Sequence, residues 1–151
     1  HLDWFSYFSN LLEVMNPIQT PHDLLFDYPA LSKGKYPSYD VLIVNSVPMS
    51  GQLPDYNPWF FERLVKEYKD QGLSVITTLP TGLCESTLQL GMSVTDIGCL
   101  AKSVNRIQGV DTGPMWTTYN VWSTTPTRIV YSAAHAINLL NTITYSTLGN
   151  T

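Results

Sequence analysis

The stretch Tyr39-Asp-Val-Leu-Ile-Val-Asn-Ser46 decides the fold. Its apolar run is continuous rather than alternating and is bounded by polar residues, the pattern of a strand covered on both faces of a parallel sheet. Val47–Pro58 follows, rich in Pro, Gly and Asn, and reads as a loop at that strand's carboxyl end. Trp59–Gln71 then has helical periodicity. Trp59, Phe60, Leu64, Val65 and Tyr68 make its apolar side, and Glu62, Lys66, Lys69 and Asp70 its wet side. Gly72 stands where a left-handed C-cap is wanted. Leu73–Leu79 is a second strand, closed by the turn Pro80-Thr81-Gly82. Strand, helix, glycine and strand make one βαβ unit, which crosses over right-handed.

Further along, Thr95 is placed to cap a short helix through Ile97, Leu100 and Ala101, and Arg106–Val110 reads as a third strand. The helix after Pro114 is expected to run from Met115 to Val121 despite poor helix formers such as Thr117 and Thr118. Thr127–Ser132 reads as a fourth strand and Ala133–Leu140 as a short helix; Leu83–Met92 and the polar tail Asn141–Thr151 stay undefined. The alternation predicts an α/β fold: a Rossmann-like, doubly wound, mostly parallel sheet with helices on both faces. In such a sheet the loops after Ser46, Leu79 and Val110 open on one edge and line one crevice. Upstream, His1–Met15 spaces Trp4, Phe5, Phe8, Leu11, Leu12 and Met15 as an amphipathic helix. Asn16–Ser38, with four prolines, reads as a connector. The expected organisation is therefore residues 1–38, helix and connector, followed by the α/β domain at 39–151.

The totals narrow the function. At 151 residues the chain suits one domain, and its 44% hydrophobic content can build a core. A net charge of -4 and the lack of a basic stripe argue against nucleic acid as a partner. Two cysteines make no disulfide framework, and with three histidines they show no zinc spacing, so no metal is expected. No signal peptide and no apolar run long enough to span a bilayer is found, which predicts a cytoplasmic protein. Beginning at His1 rather than Met, the chain reads as a processed product or a piece of a longer protein.

Candidate chemistry gathers at Gly109-Val110-Asp111-Thr112-Gly113-Pro114-Met115. A strand ends here and a helix starts, with Asp111 or Thr112 as N-cap and proline in the first turn. The unpaired amides of a helix start, a glycine that admits a ligand to the backbone and a threonine hydroxyl can hold a phosphate or diphosphate. A capped turn with no ligand is the alternative. Competing sites are weaker. Ser132 and His135 lack a Gly-x-Ser-x-Gly elbow, and Cys84 reads more simply as an inert thiol.

This turn resembles the Gly-Val-Asp-Thr-Gly-x-x-His motif of the ADP-heptose:lipopolysaccharide heptosyltransferases, inverting glycosyltransferases with the two-domain GT-B fold. The strand at Val41–Asn45, the aromatic-led helix at Trp59–Gln71, the strand and Pro/Gly turn at Val75–Gly82 and the connector-like Leu11–Leu31 agree with the donor-binding half of that family. The resemblance implies a nucleotide diphosphate sugar as substrate, with no metal or other cofactor. Its diphosphate would lie against Thr112, Gly113 and Met115, Pro114 having no amide to give. Asn45 and Ser46 would close over the phosphates, Leu79 to Gly82, including Thr81, would flank the base, and Glu85 would meet the ribose hydroxyls. Asp111 would hold the turn or sit near the donor sugar. The family's general base belongs to an acceptor domain, so no catalytic residue is assigned here, Asp3, Asp23 and Asp27 being read as surface residues or caps. The chain would act with an acceptor domain, or pair with a second copy through its first helix. Two departures stand out. Trp116 occupies the motif's His position, and Val47–Asn57 contains no Lys or Arg to pair with phosphate. They motivate a second reading, a non-catalytic glycosyltransferase-like module that acts in self-association or protein docking.

Overall fold

The computed structural model describes residues 37–49, 53, 55–119 and 127–131, together with the backbone of 142–145. The helices expected at His1–Met15 and Ala133–Leu140, and all but the end of the Pro-rich connector, lie outside the described residues. In chain order the elements are β1 (Val41–Val44), α1 (Pro58–Asp70), β2 (Val75–Thr77), α2 (Val94–Leu100), β3 (Arg106–Val110), α3 (Gly113–Thr117), β4 (Thr127–Tyr131) and β5 (Thr142–Tyr145). The five strands form one sheet in the order β2-β1-β3-β4-β5, and every pairing is parallel. This is a Rossmann-like, doubly wound α/β fold. β5, inside the stretch left undefined above, adds a strand that its polar flanks conceal.

The two faces follow from the topology. Going from β1 to β2 moves one way across the sheet, and going from β2 to β3 moves back past β1. Right-handed crossovers therefore place α1 and α2 on opposite faces. Side-chain alternation then splits the core in two. Val41, Ile43, Val75, Val110 and Tyr131 pack with Phe61, Leu64, Val65 and Tyr68 of α1. Leu42, Val44, Ile76, Ile107 and Val130 pack with Ile97 and Leu100 of α2 and Met115 of α3. With Val41 to Val44 essentially inaccessible, β1 is buried on both sides, as its unbroken apolar run predicts.

Local chemistry sets the boundaries. Asn57 caps α1, its Oδ1 accepting the Trp59 amide at 3.1 Å, and Pro58 opens the helix. The helix closes with a Schellman motif: the Gly72 amide donates to the Lys69 carbonyl (2.9 Å), the Leu73 amide to that of Tyr68 (3.1 Å), and Gly72 takes a φ of +79°. α2 is capped by Ser93 rather than Thr95. Ser93 and Asp96 form a reciprocal capping box, with Ser93 Oγ accepting the Asp96 amide at 3.1 Å and Asp96 Oδ2 accepting the Ser93 amide at 2.9 Å. α3 is shorter than its expected Met115–Val121 span and ends at Thr117. There the hydroxyls of Thr117 and Thr118 turn back to the carbonyls of Pro114 (2.8 Å) and Met115 (2.6 Å), competing with continued helix.

At the amino ends of the strands, Asp40 and Ser74 lock β1 to β2. Asp40 Oδ2 accepts both the amide (2.9 Å) and the hydroxyl (2.6 Å) of Ser74. These bonds, the hydroxyl's foremost, hold the Asp40 carboxyl below its ordinary pKa. Their stabilising effect is complete above the ordinary carboxylate pKa and vanishes as pH falls through the depressed folded value. Ser74→Ala is accordingly expected to lower the melting temperature slightly at neutral pH, with the difference from wild type closing in acid.

One glycine is required by packing. A Cβ on Gly109 would stand 2.1 Å from the Val44 carbonyl oxygen on the neighbouring strand, a contact that backbone cannot relieve by a rotamer change. Gly109→Ala is expected to cost at least ~1–3 kcal/mol in urea unfolding.

Candidate functional site

The strand order reverses between β1 and β3, and open α/β sheets bind ligands outside the carboxyl ends at such a point. Register brings the two relevant turns together. Val44 is paired with Gly109, so Asn45 and Ser46 emerge beside Val110 and Asp111. Among the described residues two helix starts, those of α1 and α3, follow the strands at this edge, and they differ. The start of α1 is closed by its own Asn57. The Thr112 side chain makes no cap bond to α3; its hydroxyl donates to the Val110 carbonyl (3.3 Å), as does its amide (2.8 Å).

Each expected site residue has a definite place. Asp111 is buried, and its amide donates to the Tyr131 carbonyl at 3.0 Å, tying the turn to β4. Gly113 is exposed, its amide donates to no described residue, and a Cβ there would meet nothing within 4 Å. Its φ lies outside the left-handed region, so the conformation itself does not call for glycine. What the missing side chain leaves is open space against the backbone. Met115 is fully buried in the α2-side core, which leaves Gly113 as the amide at the surface. Trp116 is half-buried and tilted against Tyr119 with ring centroids 5.4 Å apart, so at the motif's His position it serves packing.

Asn45 does something the sequence does not announce. Its Oδ1 accepts the Leu79 amide (2.7 Å) and the Thr78 hydroxyl (3.0 Å), its Nδ2 donates to the Leu79 carbonyl (3.1 Å), and its own amide donates to Thr78 Oγ1 (3.0 Å). The side chain thus fastens β1 to the chain leaving β2. With the Thr78 proton given to Asn45, Ser46 Oγ is the donor in its 3.1 Å contact with Thr78 Oγ1. Thr81 Oγ1 accepts the Leu83 amide at 3.3 Å, and Gly82 takes a φ of +74° in the same turn. Beyond it the chain folds back along the outer flank of β2, where Ser86 forms an isolated parallel bridge with Thr77. Glu85 goes with it. Its Oε2 accepts the Tyr39 phenol at 2.6 Å, at a residue that precedes β1, so β2 and β1 separate Glu85 from the Gly113 turn. Burial first, and Glu85 next, push the Tyr39 pKa up.

Charge is distributed oddly for a phosphate site. The segments leaving β1 and β3, residues 45–57 and 111–116, contain no Lys or Arg. Two arginines instead stand at the first and second positions of strands, Arg106 in β3 and Arg128 in β4, toward the amino ends. Arg106 Nη1 donates to the Tyr68 hydroxyl at 3.1 Å beside a cavity of about 290 Å³ that is also lined by Leu73 and Asn105. The Tyr68 hydroxyl donates in turn to Gln108 Oε1, and Gln108 Nε2 donates to the Tyr131 hydroxyl, a buried polar chain beneath α1. Arg128, 2% exposed, caps the carboxyl end of α3, with Nη2 donating to the Thr118 carbonyl at 2.7 Å and the guanidinium 4.5 Å from the Tyr119 ring. Burial brings its pKa down to about 10, which leaves it charged at neutral pH. Gln108 was legible only as a polar interruption of an apolar strand.

The fold and this edge define a Rossmann-like α/β domain with its open turn after β3. The chain matches no family model, and no curated protein or solved structure matches it. Among the described residues no helix is long and apolar enough to cross a membrane.

Because the Asn45 side chain satisfies groups on the chain leaving β2, Asn45→Ala leaves the Leu79 amide and the Thr78 hydroxyl without this partner. A loss of about 1–3 kcal/mol in urea unfolding is expected.

Proposed function

We propose that this domain binds a nucleotide diphosphate sugar at the carboxyl ends of β1 and β3, as the donor-binding half of a heptosyltransferase-like GT-B glycosyltransferase. The observation that carries the reading is the exposed Gly113 amide, with empty space where a side chain would stand, at the point where the strand order reverses. The Gly-Val-Asp-Thr-Gly sequence and the βαβ context support it. In this reading the Gly113 amide donates to the diphosphate, the Thr112 hydroxyl turns from the Val110 carbonyl to donate beside it, and Ser46 Oγ, its proton on Thr78, accepts from a sugar hydroxyl. Asp111 and Asn45 hold the two turns in position. Transfer is completed by an acceptor-binding partner that supplies the general base. No metal is required, and a reducing, cytoplasmic setting suits Cys84 and Cys99, both free thiols.

Phosphate bound by amides and hydroxyls lacks the charge-assisted bonds that a Lys or Arg would add, so affinity is expected to be modest. That same shortage favours the second reading, a docking module whose site has lost its ligand.

A thermal-shift panel of ADP, UDP, GDP and CDP separates the two, since a ligand at a hundred times its Kd adds about 2.7 kcal/mol of stability. Gly113→Val is the control, because its side chain enters open space and leaves the fold intact while filling the place of the ligand. A stabilisation present in wild type and lost in Gly113→Val is the expected result. No stabilisation by any of the four, together with a concentration-dependent mass abolished by Trp4→Ala with Phe8→Ala, would transfer the argument to the docking module.

A further inference from the structure

The cavity beside Arg106 lies at the amino ends of the strands, away from the Gly113 turn. Val41, Arg106 and Thr127 open β1, β3 and β4 on its floor, and Tyr68 and Leu73 bound it from the end of α1. At about 290 Å³ it stands near the lower end of the sizes that hold a small ligand.

Its chemistry centres on the half-buried Arg106 guanidinium. Nη1 donates to the Tyr68 hydroxyl at 3.1 Å, and the group sits 5.6 Å from the centre of the Tyr68 ring. The Tyr68 oxygen is fixed in turn, because its proton goes to the buried Gln108. A guanidinium carries more donors than this one bond uses, and Arg106 makes no other hydrogen bond and no ion pair with a described residue. Asp40 also lines the cavity but does not supply the countercharge. Its carboxyl is bonded to Ser74, and those bonds, not Arg106, lower its pKa.

The neighbours extend the set of donors. Thr127 is the register partner of Arg106, so the two residues share a face of the sheet. Gln71 brings an amide from the carboxyl cap of α1. Neither side chain is hydrogen-bonded to a described residue. Val41 and Leu73 give the same cavity an apolar wall.

We propose that this cavity binds a small organic carboxylate. Its two oxygens lie on the unused edge of the Arg106 guanidinium, whose parallel N–H groups match that planar geometry. Thr127 and Gln71 donate beside them, and the apolar body of the ligand rests on Val41 and Leu73. Inorganic phosphate is the poorer fit, since its second negative charge would face Asp40 and nothing in it would use the apolar wall. The site is independent of the proposed donor site, which lies at the other end of the same strands.

The test is nitrogen–proton correlation NMR of the protein titrated with butyrate, butyramide and inorganic phosphate at constant pH and ionic strength. Butyrate is expected to shift the Arg106 Nε–H and the Leu73 and Thr127 amides to saturation, butyramide to leave them unmoved, and phosphate to bind more weakly. Read on the Leu73 and Thr127 amides, Arg106→Gln is expected to weaken butyrate about ten-fold or more, and Arg106→Lys, which keeps the charge and loses the fork, to weaken it several-fold. No saturating shift with butyrate, or equal shifts with butyramide, would overturn the proposal from the wild-type protein alone, whether or not the variants fold. Phosphate bound as tightly as butyrate would overturn the assignment to a carboxylate. Butyrate affinity unchanged in folded Arg106→Gln would overturn the role of the guanidinium.

Discussion

The close approach of β3 to β1 at Gly109 is the constraint on which the rest depends. Both strands lie inside the sheet, so neither can move outward to make room, and the Val44 carbonyl occupies the space that a methyl group would need. Holding these strands in register brings the turn after β1 beside the turn after β3. It also separates the two cores, because the strands between them alternate their side chains to opposite faces. The facing turns at the carboxyl edge and the hydrophobic cores are thus products of one pairing.

Polar side chains finish what that pairing begins, and they do so at both ends. Asp40 and Ser74 join β1 to β2 where the strands start, and Asn45 joins them again where they finish. On the α1 side, Gln108 bridges the helix, through Tyr68, to β4, through Tyr131. Buried groups such as Asn45 and Gln108 are costly unless fully bonded, so each specifies its neighbours more narrowly than apolar contact would. The carboxyl edge inherits the result: Asp111 and Asn45 are committed to holding backbone, while Gly113 and the Ser46 hydroxyl's acceptor capacity remain for another molecule.

The two glycines of the Gly-Val-Asp-Thr-Gly turn consequently do different work. Gly109 is glycine because the neighbouring strand is too near, whereas at Gly113 no described residue stands within 4 Å of where a Cβ would be. A position that is unconstrained by packing, exposed, and placed at a reversal of strand order is where a ligand requirement would register. On the donor-site proposal, the lack of basic residues on that edge would leave binding to backbone and hydroxyl groups rather than to charge.

Much of this was open to reading in the sequence. The unbroken apolar run at Tyr39–Ser46, the helical periodicity of Trp59–Gln71 with its Gly72 finish, and the strand before the Asp-Thr-Gly turn all depend on residues within a few positions of one another, where propensity and capping act. These were enough for a parallel α/β sheet with helices on both faces and for the turn after β3 as the candidate site. The rest depends on partners 30 or more residues away, as in Asn45 with Leu79, Tyr68 with Gln108 and Tyr39 with Glu85. Spacing along the chain carries no record of such contacts. Only the tertiary structure decided that Asn45 fastens strands, that Glu85 is carried to the far flank of β2, that Met115 is buried, and that of two similar glycines one is demanded by packing and the other leaves room.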